Sequence, residues 1–411
     1  MSNHNQKSAV SITALDGYEN FEKVLLAIRT GLDSLGGMQK FVKPGQKVLL
    51  KPNLVAPSKP GKVISPDASI LRAVMRLVKE CGGIIKVGDG PGVGDTKLVL
   101  ESCGMLKVIE EEGGEVAVFQ EKTIFEKLDN RVGRRIGLTS HLTDCDVLIT
   151  LPKLKTHVQM GFTGAIKNQY GLIPGSAKAQ YHFRFQNRDR FSDLIVDINR
   201  IAKPALAIMD AVIGMEGPGP SGGSPRKIGA IICSADLAAV DVVCCKIIGI
   251  DPEKYPINQA VRRADFGATR LSEIDIIGEN WEKFYVSDYK LVPIPKNIMK
   301  ILPLPNWILK WIRRQIAPRP VILVEKCIQC GRCMRGCPID PPAIQPFAKG
   351  GPKLNDKTCI RCYCCHEFCP AKAIELRPSL LDKIFHLRKV TDYSARVIGK
   401  VKALFEKCRK K

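Results

Sequence analysis

Residues 47–90 read KVLLKPNLVAPSKPGKVISPDASILRAVMRLVKECGGIIKVGDG. The stretch opens on a short apolar run, Val48-Leu49-Leu50, that stops at Lys51-Pro52-Asn53. A second apolar run, residues 84–87, stops at Gly88-Asp89-Gly90. Between them Ile70, Val74, Leu77 and Val78 recur at helical spacing, and Gly82-Gly83 closes the pattern. Ser65 reads as the helix cap and Pro66 as its first residue. Strand, helix and strand in that order make one βαβ unit. Its strands are apolar on both faces, as strands covered by helices on both sides must be.

The same alternation extends outward in both directions. Phe21, Val24, Leu25, Ile28, Leu32 and Leu35 mark an earlier helix. Residues 98–112 read as a helix and 115–119 as a strand. Residues 147–151 read as an apolar strand ending in Pro152-Lys153-Leu154-Lys155-Thr156-His157. A helix over 191–202 precedes a strand over 205–209 that ends at Asp210. Another strand covers 228–233, a helix 236–248, and a last strand 274–277. The pattern predicts an α/β fold over residues 1–285: a mostly parallel sheet with helices on both faces.

Composition bounds the rest. The chain has 411 residues, enough for two or three domains at about 150 residues each. Its formal charge is +22, from 63 Lys+Arg against 41 Asp+Glu. Such a balance favours anionic partners, whether acidic proteins, anionic small molecules, acidic lipid or nucleic acid, over a merely basic surface only by even odds. Residues 1–8 are polar and lack the apolar core of a signal peptide. No run of about 20 apolar residues offers a transmembrane helix. These features predict a cytoplasmic protein, with contact to the cytoplasmic face of a membrane as a further expectation.

Of sixteen cysteines, nine fall between 327 and 369. Crowding of that kind reads as metal ligation in a reducing compartment. The first run is Cys327-x2-Cys330-x2-Cys333-x3-Cys337-Pro338. The second repeats it: Cys359-x2-Cys362-x2-Cys365-x3-Cys369-Pro370. Three thiolates so spaced wrap one face of a cuboidal iron–sulfur cluster, and the fourth, before proline, ligates the other cluster. The expectation is two [4Fe–4S] clusters in a small α+β ferredoxin-like domain over 321–378. One cluster takes Cys327, Cys330, Cys333 and Cys369; the other takes Cys359, Cys362, Cys365 and Cys337. Zinc, which needs four ligands and often uses paired knuckles, fits poorly. Cys364, between two ligands, reads as a small side chain outside the cluster. Lys326, Arg332, Arg335 and Arg361 surround the cysteines, and their charge suits an acidic electron-donor protein.

Two further segments flank that domain. Residues 286–320 form a proline-rich, basic, amphipathic linker in which Trp307 and Trp311 suit a membrane surface. The recurring prolines favour instead packing of its short helices onto the α/β body. Residues 379–411 read as a basic helical tail.

Open α/β sheets bind ligands at the carboxyl ends of their strands. There this chain places Lys51, Asn53, Asp89, Lys153, Lys155, His157, Lys167, Asn168 and Asp210. The lysines suit carboxylate or phosphate groups, and His157 suits proton delivery beside electrons. Taken singly, each has a plainer role as a solvated strand end, a turn or a cap. Gly88-x-Gly90-x-Gly92 is interrupted by Pro91 and does not make a dinucleotide fingerprint, and there is no Walker lysine motif.

Lys51-Pro52-Asn53-Leu54, Gly88-Asp89-Gly90-Pro91, residues 151–157, Gly164-Ala165-Ile166-Lys167-Asn168 and residues 210–219 together resemble the DUF362 family. The resemblance covers roughly residues 10–280. It implies a body of uncharacterised function, frequently fused to a ferredoxin-type domain. The combined expectation is a reductase. Electrons from the clusters reach an anionic small molecule bound by Lys51, Asn53, Asp89, Lys167, Asn168 and Asp210, with Lys153, Lys155 and His157 as the chemical groups. The alternatives are an electron-transfer or adaptor subunit without its own catalysis, and a membrane-surface redox protein; nucleic acid ranks last among the partners.

Overall fold

A computed structural model describes residues 7–59, 62–92, 94–175, 177–185, 187–292, 317–348 and 351–377. The expected amphipathic linker helices, with Trp307 and Trp311, and the basic tail lie outside the described residues. The chain divides into two compact units, Met1–Val292 and Pro293–Lys411.

The first unit is built on a ten-stranded mixed sheet, mostly parallel. Its strands are β1 (Ser8–Ala14), β2 (Lys47–Pro52), β3 (Ile84–Val87) and β4 (Glu115–Val116). A separate hairpin, β5 (Lys122–Glu126) and β6 (Arg135–Thr139), follows. The sheet then resumes with β7 (Val147–Leu151), β8 (Lys153–His157), β9 (Gly161–Thr163), β10 (Leu206–Glu216), β11 (Ser224–Ser234) and β12 (Ile274–Gly278). The spatial order is β12-β1-β11-β10-β7-β2-β3-β4. Strands β10, β7, β2, β3 and β4 run parallel, and β11 runs antiparallel to both its neighbours, β10 and β1.

Helices cover both faces, as the sequence predicts. The alternation within β2 shows why. Leu49 points into one core with Phe191, Leu194 and Val240, from helices Arg188–Ala202 and Leu237–Ile247. Val48 and Leu50 point into the other with Ile28 and Val74, from helices Phe21–Asp33 and Ala68–Glu80. All three β2 side chains are essentially inaccessible to water.

Several boundaries differ from expectation, each for a local reason. The helix after β2 begins at Ala68, capped by Asp67, whose carboxylate accepts from Ser69 N and Ser69 Oγ. An aspartate with two donors to hold outcompetes Ser65. The expected helix over 98–112 is two helices, Thr96–Ser102 and Met105–Glu111, parted at Gly104, which takes φ +79°. Strand β10 does not stop at Asp210 but continues to Glu216. Its second half keeps partners on both sides: β8 through Asp210↔Lys153 and Met215↔Lys155, and β11 through Glu216↔Ser224. Strand β1 has no counterpart in the sequence reading. Its Ser and Thr dilute the apolar signal, yet it fills the sheet between β11 and β12.

The second unit is small and α+β. Strand β13 (Arg319–Ile322) pairs antiparallel with β16 (Ile374–Arg377), and β14 (Ile344–Ala348) with β15 (Gly351–Leu354). Two single-turn helices, Arg332–Arg335 and Cys364–Glu367, sit at matching places in the two cysteine runs.

Candidate functional site

The cysteine loops come first, because their geometry is dictated residue by residue. In each run the residue two after the first cysteine is left-handed: Gln329 at φ +53° and Arg361 at φ +57°. So is the residue after the second cysteine, Gly331 at +68° in one and Tyr363 at +65° in the other. Alternating left-handed residues coil the chain tightly, so successive thiols turn inward. The fourth cysteine of each run meets a backbone donor: Ala343 N to Cys337 Sγ at 3.3 Å, and Ala373 N to Cys369 Sγ at 3.2 Å.

Proximity crosses between the runs. Cys327, Cys330, Cys333 and Cys369 line one concavity, floored by Ile322 and Ile374. Burial pushes the Cys333 thiol up to about 11, and Cys369, Cys330 and Cys327 add to the rise. Burial, then Cys362 and Cys359, then Cys333 and Cys337, raise Cys365 well above its ordinary value. Thiols crowded this way resist ionising unless a cation balances them, which an iron–sulfur core does. Among the described residues, no three His, Cys, Asp or Glu side chains converge on a point suited to one metal ion. The residues fit a cluster: they ring a space, with apolar walls and N–H donors to sulfur.

The strand-end residues of the first unit separate into groups. In the first, Lys51 lies 2.8 Å from Asp89 Oδ1 and is wholly buried. Its ammonium also donates to Asn168 O at 2.6 Å, and Asn53 Nδ2 donates to Asn168 Oδ1 at 2.8 Å. Asp89 Oδ2 accepts from Leu54 N at 2.7 Å, and Asn168 Nδ2 donates to Thr150 Oγ1 at 2.7 Å. Burial pulls the Lys51 pKa down against the pull of Asp89. Gly171 closes the group: a Cβ there would lie 1.9 Å from Asp89 Oδ1.

In the second group Lys153 donates to Asp210 Oδ2 at 2.8 Å and to Tyr18 Oη at 2.9 Å, while Tyr18 donates to Asp210 Oδ1 at 2.7 Å. Asp67 N and Val212 N complete the carboxylate's partners. Burial, then Asp210, hold the Tyr18 phenol far above its usual pKa. Lys155 stands apart, its ammonium on Ile64 O at 2.6 Å. His157 Nδ1 accepts from Gln159 N at 3.1 Å, which puts the ring proton of the neutral imidazole on Nε2. Lys167 and Asn168 share a single-turn helix, Ala165–Asn168, whose first amides donate to the buried Asp241. Burial pushes that carboxyl up to about 7.

Sequence reasoning missed Tyr18, Thr150, Gly171, Lys178 and Asp241. Only Thr150 carried a signal, as the one polar residue in the otherwise apolar strand β7.

The chain is 33% identical over 307 residues to the thylakoid-associated protein sll1697 of Synechocystis sp., covering 72% of this chain and 92% of that protein. A domain of unknown function, DUF362, matches residues 48–246, and a 4Fe-4S dicluster domain matches 319–370. This chain belongs to the DUF362 family. The chain is also 42% identical over 62 residues to the pyruvate synthase subunit PorD of Thermotoga maritima, covering 15% of this chain and 59% of that one. The solved lactate racemase apoprotein of Thermoanaerobacterium thermosaccharolyticum aligns at TM-score 0.36 and 11% identity, over 60% of this chain and 58% of that one. That likeness is too slight to bear on function. Every cluster cysteine lies inside the dicluster match, so the second unit is an iron–sulfur electron-transfer domain. Both buried lysine–aspartate pairs, with Lys155 and His157, lie inside the DUF362 match; Tyr18 lies outside it. No helix among the described residues is long and apolar enough to cross a membrane.

Proposed function

We propose that this DUF362 protein is a reductase that takes electrons from a protein donor and passes them to an anionic small molecule bound in its α/β body. The donor set fits two [4Fe–4S] clusters, ligated crosswise as the spacing predicts. When bound, the clusters supply one-electron transfer, stepwise and without hydride chemistry. The chain's own residues must then hold the substrate and move protons. Lys51, Asn53, Asp89, Asn168 and Lys167 form or adjoin the binding group, and Lys153, Lys155 and His157 follow one another along β8. His157, with its proton on Nε2, is the proton donor in this reading, and Lys153 with Asp210 holds the strand.

The observation that carries the reading is the concentration of buried charge on β2, β8 and β10 and just past the end of β3. A mere docking scaffold has no use for lysines that are 0% or 1% exposed. The domains fall as 1–285, 286–320, 321–378 and 379–411. The basic surface around Lys326, Arg332 and Arg335 suits an acidic donor, and the thylakoid association of the cyanobacterial relative supports contact of the basic tail with a membrane surface.

The test is anaerobic purification followed by iron and acid-labile sulfide analysis, and then identification of the small molecules that co-purify. About eight irons and eight sulfides per chain, with an anionic compound retained, are expected. Full iron loading with oxidation kinetics unchanged by His157→Ala, for any retained compound, would leave an electron carrier and remove the reductase.

A further inference from the structure

The first lysine group contains more positive charge than Asp89 balances. Lys178, on the helix Ala177–Arg184, is 8% exposed, and its ammonium donates to Gly90 O. Its main-chain carbonyl accepts from Tyr170 Oη at 2.8 Å, which ties the helix down at this residue. The carboxylate that acts on it is Asp89, already 2.8 Å from Lys51 on one oxygen and engaged by Leu54 N on the other. Lys51 and Lys167 both act on Lys178 as like charges. One carboxylate therefore serves both Lys51 and Lys178, and among the described residues Lys178 forms no ion pair.

An excess ammonium in a dry site is costly, and proteins that keep one use it. Burial pushes Lys178 down to about 8, so it is still largely protonated at neutral pH. Two glycines stand beside these ammonium groups. A Cβ on Gly90 would sit 3.1 Å from Lys178 Nζ, and a Cβ on Gly171 would sit 2.6 Å from Lys51 Nζ. Glycine at both places keeps side-chain atoms out of the space beside the ammonium groups.

We propose that Lys178 supplies the charge that binds the anionic group of the ligand, while Lys51, balanced by Asp89, shapes the same site and Lys153 is held by Asp210. The ligand class is a small oxyanion, a carboxylate or a phosphate, whose charge replaces the missing counter-charge beside Lys178. This deepens the reading that the α/β body binds an anionic substrate and rests on it; it does not depend on electron transfer.

The experiment is thermal unfolding of the full-length, cluster-loaded protein, followed by circular dichroism at pH 7. Titrations of sodium acetate and of sodium phosphate are compared with sodium chloride at equal ionic strength. One of the two oxyanions is expected to raise the wild-type Tm and chloride is not, and the arm that succeeds names the source. Lys178→Met should start from a higher Tm in chloride, having lost a buried unpaired charge, and its apparent oxyanion affinity should fall at least tenfold. Lys178→Arg, which keeps the charge, should retain the response, and Lys51→Met should lower Tm. A response that survives in Lys178→Met overturns the proposal, and so does a wild type that responds to neither oxyanion. If Lys178→Met does not fold, Lys178→Gln takes its place under the same criteria. A protein that binds oxyanion through Lys178 but turns nothing over would remove the reductase reading and leave this site standing.

Discussion

Replacing Asp210 by asparagine tests whether the second lysine group is one buried electrostatic unit. Asp210 and Lys153 have side-chain exposures of 0% and 1% and meet at 2.8 Å. The carboxylate also accepts from Tyr18 Oη at 2.7 Å, Asp67 N at 2.9 Å and Val212 N at 3.2 Å. Asparagine keeps one acceptor oxygen, but its amide would face the donors Lys153 Nζ and Asp67 N. Removing one charge of a buried pair costs about 3–5 kcal/mol. That is a large share of the roughly 5–15 kcal/mol that holds a domain folded. Lys153→Met should cost a similar amount, because it strands the carboxylate. The double variant strands neither charge, so it should cost less than the sum by about 2 kcal/mol, within the range for contacting residues. Urea unfolding of all four proteins, followed by far-ultraviolet circular dichroism, supplies the cycle. Single costs of only about 0.2–1 kcal/mol, as for an exposed pair, would refute the reasoning, and so would costs that add.

Three other outcomes are expected. The Lys178 pKa lies at about 8, below its ordinary 10.5, so between those values the unfolded chain binds more protons than the folded one. Stability should therefore rise with pH across that window, by at most ~3 kcal/mol from this group. Asp89, Lys51 and Lys167 face it, and Lys51, also lowered, acts in the same direction. Lys178→Met should flatten the rise, and an undiminished slope in the variant would count against the assignment. Gly171→Ala drives a methyl into Asp89 and should cost about 1–3 kcal/mol, read as a fall in Tm; a neutral result would mean the group is looser than described. Cys369→Ser should lose the cluster of the other run, removing about half the iron. Cys327→Ser combined with it should then lose no more than either change alone, and additive iron loss would sink the crossed ligation.

The sequence made the cluster loops and the βαβ core legible because both are local codes. Cysteine spacing fixes which sulfurs can meet, and the apolar runs at 48–50 and 84–87 leave strands little choice. What it hid was pairing over distance. Asp210 looked like a strand end because the apolar run stops there, yet β8 and β11 carry the strand onward. The lysines at 51 and 153 looked like an open cationic rim. Their aspartates, Asp89 and Asp210, follow other apolar runs, and nothing in the sequence says which acid folds over which base. Tyr18 and Lys178 were invisible for the same reason: each reaches its group from a loop or short helix with no periodicity of its own.

Strand β1 has a consequence for the order in which the molecule is made. Its two neighbours, β11 and β12, lie at 224–234 and 274–278. At about 5–20 residues per second, a ribosome needs on the order of 10–40 s to pass from the end of β1 to the start of β11. Through that interval residues 8–14 are a strand without a ladder on either side, the condition in which chains pair with the wrong partner. The lysines and carboxylates of both buried groups, from Lys51 to Asp210, are already out by then. β1 is thus made long before it is placed, and any chaperone that attends this chain has its longest task at that strand, not at the iron.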